Sequence, residues 1–186
     1  MKIKTKDIAV TALLTAIAIL IPLVVPVKVL IPPFSATLAS HVPLIIAMFI
    51  NPFAAIFTAL GSALGFFFAL GPVVAARAAM HVFFVAAGAY MIKKRCNFFL
   101  TVFATMIIHA LSEMLIVYLL FAFFGQSKII GSNTMMYVQS VIAAGTSVHH
   151  LVDYFIAMMI CVPLSRQSGG MIAPVSLTFK KTTAGK

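Results

Sequence analysis

The sequence predicts an all-α integral membrane protein, a single domain of six transmembrane helices with both termini in the cytoplasm. Of its 186 residues, 63% are hydrophobic and 9% are charged, and the mean hydropathy is +1.16. A soluble domain is about 45–50% apolar and about 25% charged. A bilayer core about 30 Å thick needs roughly 20 apolar residues per helix. Apolar stretches of that kind recur along the chain, and basic residues lie between alternate stretches.

Breaks between the apolar stretches set the helix bounds. Asn51-Pro52 and Gly71-Pro72 are typical of tight turns. The second span is short and carries His41 and Pro43 near its start, but a re-entrant segment there would place the later basic cluster outside. The predicted helices cover about 7–25, 36–50, 53–70, 73–92, 97–124 and 141–164, between an N-terminal tail over 1–6 and a cytoplasmic tail over 165–186.

Positive charge follows this topology. The net charge is +10, and ten of the thirteen Lys and Arg residues precede the first span, separate the fourth from the fifth, or follow the sixth. Cytoplasmic loops of membrane proteins are enriched in Lys and Arg, so these three groups are expected in the cytoplasm. The pattern does not form a basic face for nucleic acid. An apolar run from Ile8 to Val27 is longer than a signal peptide requires, so the first helix is expected to stay uncleaved.

Several functional classes are disfavoured by missing motifs. The sequence has no GxxxxGK[ST], HExxH or GxSxG motif. Cys96 and Cys161 both fall at predicted cytoplasmic helix ends, so no disulfide is expected. Two cysteines alone make no tetrahedral metal site. We therefore expect no enzyme activity, no catalytic residues, no resident metal and no cofactor.

Ionisable residues at membrane depth are functional-site candidates, since charge inside hydrocarbon is costly. Arg77 and His81 lie four residues apart on one helical face, and His109 and Glu113 repeat that spacing. With the predicted topology these residues converge on the outer half of the protein. The other members of the set are His41, His149, His150 and Asp153.

Two structural alternatives stay open for this set. Arg77 could pair with Glu113 or Asp153 instead of a ligand, because a guanidinium matches any carboxylate. His149, His150 and Asp153 could share a metal ion, as a small intramembrane hydrolase would require. A proton-driven carrier usually buries several acids, and only Glu113 and Asp153 are available here.

Small residues mark two helix faces that could approach another helix closely. Ala9, Ala12 and Ala16 lie on one face of the first helix, where packing within the chain and docking of a partner are equally compatible with the spacing. Gly61 and Gly65 form a second such face, for which internal packing is favoured.

The chain resembles the substrate-binding S components of energy-coupling factor (ECF) vitamin transporters over nearly its whole length. The resemblance rests on the six helices, the basic N-terminus, the ALLTA stretch at 12–16 and the proline-containing loop over 27–35. The runs PPFSATLASHVP (32–43), RAAMHVFFVAAGA (77–89) and GTSVHHLVDY (145–154) are most similar to niacin-specific members and less so to those assigned to pantothenate.

The resemblance implies a vitamin-binding protein that does no chemistry. Its Ala-xxx-Ala motif would dock on a transmembrane coupling subunit, and two ATPase subunits would use the ATP. Niacin and pantothenate are both carboxylates, so Arg77 or Lys28 is the expected partner of that charge. From depth and side, the candidate substrate-binding residues are Arg77, His81, Lys28, Phe34, Asn133, Tyr137, His150, Asp153 and Tyr154.

Overall fold

The computed structural model describes residues 4–32, 34–124, 132–169 and 172. Seven helices and one two-stranded hairpin make up this part of the chain. Residues 1–3 and most of the predicted C-terminal tail lie outside the described residues. Of the predicted loop over 125–140, residues 125–131 also lie outside them, and 133–140 are helical. The elements are α1 Thr5–Val24, β1 Lys28–Ile31, β2 Phe34–Thr37, α2 Val42–Met48, α3 Pro52–Leu70, α4 Pro72–Ala79, α5 His81–Lys93, α6 Phe98–Phe123 and α7 Asn133–Gln167.

Helix boundaries follow the capping chemistry of the sequence. The Asn51 side chain accepts a hydrogen bond from the Ala54 amide at 2.9 Å, and Asn97 caps α6 in the same way. Proline occupies the first position of α3 and α4, where its missing N–H costs nothing. Gly71 has φ of +85°, a backbone conformation that is strained for residues with a side chain. Both predicted turns are confirmed.

Five helical segments are long and apolar enough to cross a bilayer in the described part of the chain, counting α4 and α5 together over Pro72–Lys93. The predicted second helix over 36–50 is wrong in its bounds, since only Val42–Met48 is helical. The chain ahead of it pairs as strand β2, with Lys28 opposite Thr37. The predicted sixth helix begins earlier than expected, at Asn133.

Helices α1 and α3 run parallel to each other. A Cβ atom at Gly61 would overlap the Thr15 side chain, and one at Gly65 would overlap the Ile19 backbone. The two contact points therefore advance in the same direction along both helices. Since α1 and α3 are parallel, the segment between them must return along the bundle, and β2 and α2 are that return path. The Gly61 and Gly65 face packs internally, as favoured from the sequence.

The other helices alternate in direction. Arg77 reaches Glu113 while Gly88 lies beside Thr105, so α4 and α5 run antiparallel to α6. Thr146 bonds Glu113 while His150 bonds Thr105, so α7 runs antiparallel to α6. The first turn of α1 and the end of α7 consequently meet, with Lys6 Nζ 3.4 Å from the Ser168 carbonyl. We call this the basic end and the opposite one the hairpin end.

Burial is concentrated on the short helix α2. All seven of its residues are buried, and Leu44, Ile45 and Ala47 are fully inaccessible. Large apolar side chains cover the outside instead, for example Phe68, Phe123 and Phe155, which are 67–80% exposed. A water-soluble protein keeps such contiguous apolar surface small, so the outer surface of this bundle fits lipid.

Substitution of Gly65 by Val tests the close α1–α3 approach. The new side chain would overlap the Ile19 backbone, which cannot move aside as a flexible side chain can. Overpacking of this kind costs about 1–3 kcal/mol, so we expect a clearly lowered thermal unfolding midpoint in detergent. Leu64→Val, at a neighbouring residue that is 48% exposed, is the matched control and should unfold like the parent. Equal midpoints for the two variants would contradict the packing.

Candidate functional site

A small cavity lies near the hairpin end, lined by residues of β2, α3, α4, α5, α6 and α7 and of the turn before α2. Its volume is about 20 Å³, room for a single water molecule or ion. Phe34 and Phe66 supply aromatic surface to its wall. The polar side chains that line it are Ser35, Ser40, His41, Arg77, His81, His109, Glu113, Thr146 and His149.

Glu113 is the centre of this polar group. Its Oε2 atom accepts from Arg77 Nη2 at 2.5 Å, from Arg77 Nε at 3.2 Å and from Thr146 Oγ1 at 2.9 Å. Its Oε1 atom lies 3.5 Å from Nε2 of both His81 and His109. Arg77 and Glu113 are almost completely buried, at 2% and 4% exposure. A buried ion pair is sustained only when further hydrogen bonds satisfy its remaining atoms, as they do here.

Arg77 also faces the hairpin. Its Nη1 atom donates to Ser35 Oγ at 3.3 Å, and its guanidinium carbon lies 5.7 Å from the centre of the Phe34 ring. A guanidinium over an aromatic face is favourable, more so when desolvated. The structural pairing of Arg77 with Glu113, one of the alternatives left open by the sequence, is thus present, and the same guanidinium still borders the cavity.

Three imidazoles form the deep side of the cavity. The ring centres of His41, His81 and His109 are 4.6–4.7 Å apart, and their planes are nearly perpendicular, at 79–89°. His41 Nε2 lies 3.3 Å from His81 Nε2. His149 packs beside His41, with ring centres 4.6 Å apart, and its Nε2 is 3.2 Å from Ser40 Oγ.

Asp153 positions His41 from behind. It accepts the backbone amides of Ala39 at 2.8 Å and His41 at 2.9 Å, and its Oδ2 lies 3.1 Å from His41 Nδ1. Ala39 has φ of +65°, an uncommon conformation for a residue with a side chain. The carboxylate therefore fixes the strained turn from which His41 enters α2.

The outer wall of the cavity is the hairpin. Phe34 sits against Gly145 of α7, where a Cβ atom would come within 2.8 Å of the ring. On the far side of Phe34, an apolar groove of about 430 Å³ runs between the hairpin and α7, bordered by Val29, Val148 and Val152 among others.

Three of the predicted site residues line the cavity: Phe34, Arg77 and His81. His150 lies one layer behind it, bonded to His109 and Thr105, and Asp153 lies behind His41. Tyr154 is buried further along α7, with its ring 5.9 Å from that of Phe98.

The remaining three are not brought to the cavity. Lys28 Nζ donates to the Pro22 carbonyl at 2.9 Å, which closes the turn before β1. Asn133 and Tyr137 are exposed in the first two turns of α7. Their place in the predicted outer loop made them candidates, but the helix that starts there turns them away from the cavity.

Several residues that line the cavity are not among the substrate-binding residues predicted from the sequence. His41, His109, Glu113 and His149 are among the ionisable residues at membrane depth in the sequence, and the one-turn spacings of His109 with Glu113 and of His149 with Asp153 are the available signal. Ser35, Ser40 and Thr146 gave no signal, because isolated hydroxyl residues are common in apolar segments.

The predicted docking face on α1 is at the surface. Ala9, Ala12 and Ala16 are all exposed, whereas Thr11, Leu14 and Ala18 on the other side of the helix are buried against the bundle. The small-residue stripe is therefore not used for packing among the described residues.

Two groups of side chains in the described residues have the spacing that a metal ion needs. They are His41 with His81 and His109, and His41 with His149 and Asp153. The metal-binding trio considered from the sequence, His149 with His150 and Asp153, is not one of them.

Fold and site together define a multi-pass membrane protein with a small polar cavity buried among its helices. The chain is 36% identical over 165 residues to the niacin transporter NiaX of Lactococcus lactis subsp. cremoris (strain MG1363), an alignment that covers 84% of this chain and 73% of that protein. It belongs to the family of that transporter, which confirms the resemblance seen in the sequence. No family model matches the chain, and no solved structure matches it.

The coupling between Arg77 and Glu113 can be measured with a double-mutant cycle. Arg77→Met leaves a buried carboxylate without its main partner and should lower the free energy of unfolding by about 3–5 kcal/mol. Glu113→Gln should also destabilise, and the double variant should be less destabilised than the sum, because neither charge is left alone. Equilibrium unfolding in mixed micelles gives all four values. Strict additivity would contradict the ion pair.

Proposed function

We propose that this protein is the substrate-binding subunit of an ECF-type transporter and captures niacin, as nicotinate, at the outer face of a bacterial cell membrane. The observation that carries the proposal is the buried guanidinium of Arg77 at an aromatic-walled cavity. Its support is the family membership and the name of the relative from Lactococcus lactis.

The orientation follows from the charges. Lys4, Lys6, Lys93, Arg95 and Arg166 lie at the basic end, since α1 starts there and α5 and α7 finish there. The positive-inside rule puts that end, and both termini, in the cytoplasm. The hairpin end then faces outwards, and the cavity opens towards the side from which a vitamin arrives.

Nicotinate matches the chemistry of the cavity wall. Its carboxylate would take the place of Ser35 Oγ on Arg77 Nη1, because a guanidinium pairs more strongly with an ionised carboxylate than with a neutral hydroxyl. Its flat ring would stack on Phe34 or Phe66. Pantothenate, the alternative vitamin, shares the carboxylate but lacks an aromatic ring and is longer, so it would use this wall less fully.

Closure by the hairpin is part of the proposal. In the described structure the cavity holds about 20 Å³, and nicotinate needs several times that volume. The hairpin is paired along its whole length, from Lys28 with Thr37 to Ile31 with Phe34. It can therefore swing as one unit, withdrawing Phe34 from Gly145 and opening the cavity.

Binding to the purified chain tests the ligand and the role of Arg77. We expect tight binding of radiolabelled nicotinate without any partner, and at least tenfold weaker binding to Arg77→Lys, because an ammonium cannot hold Glu113 and a carboxylate in the same fork geometry. Arg166→Lys, the same change at an exposed residue of the basic end, should bind like the parent. Pantothenate should compete poorly. Unaltered affinity of the Arg77 variant would refute the proposed contact.

Energised uptake tests the partner. In the proposal the exposed Ala9, Ala12 and Ala16 face docks on the transmembrane coupling subunit, and two ATPase subunits drive release inside. Ala12→Leu should therefore abolish uptake in cells that co-express the module while nicotinate binding persists. Ala122→Leu, at an exposed alanine of α6, should leave uptake intact. Uptake by the chain alone in vesicles with a proton gradient would instead identify a secondary carrier.

A further inference from the structure

We propose that His41, His81 and His109 bind a divalent transition-metal ion at the deep side of the cavity, and that a donor atom of the anionic substrate occupies a further position on that ion. The metal site stands on the geometry of the three histidines. Its link to the substrate rests on the proposed function.

The three imidazoles already have the arrangement of metal ligands. They come from three elements, the start of α2, the start of α5 and the middle of α6, and their ligand atoms lie within 4.8 Å of one another. In a tetrahedral zinc site with Zn–N of 2.0–2.1 Å, the nitrogens are about 3.3–3.4 Å apart. His41 Nε2 and His81 Nε2 are 3.3 Å apart, so this pair needs no movement to share an ion.

The opposite nitrogens are held as in metal sites. A ligating histidine usually presents its other nitrogen to a carboxylate or another polar group, which fixes the ring. Asp153 Oδ2 lies 3.1 Å from His41 Nδ1, within ion-pair distance, although this nitrogen makes no well-aligned hydrogen bond with the described residues. His109 Nδ1 lies 3.2 Å from His150 Nδ1, and His150 Nε2 lies 3.2 Å from Thr105 Oγ1. The His109 ring is thereby supported from behind by a hydrogen bond, and the His41 ring lies against a carboxylate.

One of the inward nitrogens has unused bonding capacity. His109 Nε2 is buried and makes no hydrogen bond with the described residues. A buried polar atom without a partner is uncommon in native structures and costs about 1–3 kcal/mol. Metal coordination would use this lone pair, since the Nδ1 atom of the same ring already faces His150.

Charge balance favours an ion as well. Arg77 contributes one positive charge, and Glu113 and Asp153 contribute two negative charges, so these three buried side chains sum to −1. Nicotinate alone would bring the sum to −2 in a desolvated site, which is costly. A divalent ion together with nicotinate brings it to zero. Glu113 Oε1, 3.5 Å from two of the inward nitrogens, adds a favourable charge beside the ion.

The competing group of His41, His149 and Asp153 is less suited to an ion. Asp153 already accepts two backbone amides that hold the Ala39 turn. The competing group would have to use His41 Nδ1, which lies 3.1 Å from Asp153 Oδ2, since His41 Nε2 faces His81. Imidazole donors select zinc, nickel, cobalt or copper over magnesium and calcium, so the class of ion is a divalent transition metal.

Metal titration of the full chain tests the site. The chelator-treated protein in detergent is titrated with Co²⁺, whose visible absorption reports tetrahedral coordination, and Zn²⁺ content is measured after dialysis. We expect one ion per chain in the parent and in His149→Gln, and loss of the ion with at least a hundredfold weaker binding in His81→Gln and His109→Gln. Thermal unfolding without metal identifies variants that fail to fold. If His81→Gln fails to fold, His81→Asn replaces it.

Two results would overturn the metal site. One is a parent protein that binds no more Co²⁺ or Zn²⁺ than folded His81→Gln. The other is loss of the ion in His149→Gln with retention in His81→Gln, which would place the ion at the competing group.

Nicotinate binding with and without Zn²⁺ separates the inference from the proposed function. We expect removal of the ion to weaken nicotinate binding at least tenfold. Full-strength nicotinate binding to the metal-free chain would overturn the link to the ion and leave the niacin proposal standing. One bound ion with no nicotinate binding under any condition would do the reverse, because the histidine site would hold while the niacin proposal failed.

Discussion

The buried carboxylate of Glu113 is the constraint on which the site depends. An ionised carboxylate away from water is tolerated only when charge and hydrogen bonds surround it. The Arg77 guanidinium and Thr146 meet that requirement with three donor atoms on its Oε2, and two imidazoles flank its Oε1. Those partners come from α4, α5, α6 and α7, so compensating one charge also fixes how four helices meet. Because lipid outside the bundle offers no hydrogen bonds, the partners had to be internal.

Asp153 imposes a second constraint, and it explains the irregular segment between α1 and α3. A strand and a turn at membrane depth leave backbone groups that only other protein groups can satisfy. The Asp153 carboxylate accepts hydrogen bonds from the backbone amides of Ala39 and His41. These bonds stabilise the left-handed conformation of Ala39 and let α2 start at the level of the cavity. A regular helix over 36–50 would satisfy its own backbone, but it would not place the hairpin over the cavity or aim the His41 ring at His81.

The predictable and unpredictable parts of the molecule differ in their physics. Apolar length, proline and asparagine breaks and one-turn spacings are local, so the long helices, the Gly71 turn and the Arg77 and His81 face followed from the sequence. The β2–α2 turn depends on Asp153, 114 residues away from Ala39, and no local pattern encodes that distance. Ser35 and Thr146 became site residues only through tertiary contacts. Tyr137 failed as a candidate because a loop was expected where α7 already begins.

The two constraints together separate the rigid part of the site from the part that can move. Arg77, Glu113 and the histidines are held by helices, whereas the hairpin contacts the site through Phe34 and Ser35. Opening the hairpin would expose Phe34, at a cost of about 1.5–3 kcal/mol, and break the Ser35 hydrogen bond, at about 1.5–3 kcal/mol for a charged donor. Micromolar binding supplies about 8 kcal/mol, which exceeds both costs together. In the proposed function the ion pair would be kept during this motion, so the charges that select an anion would stay preorganised while the entrance opens and closes.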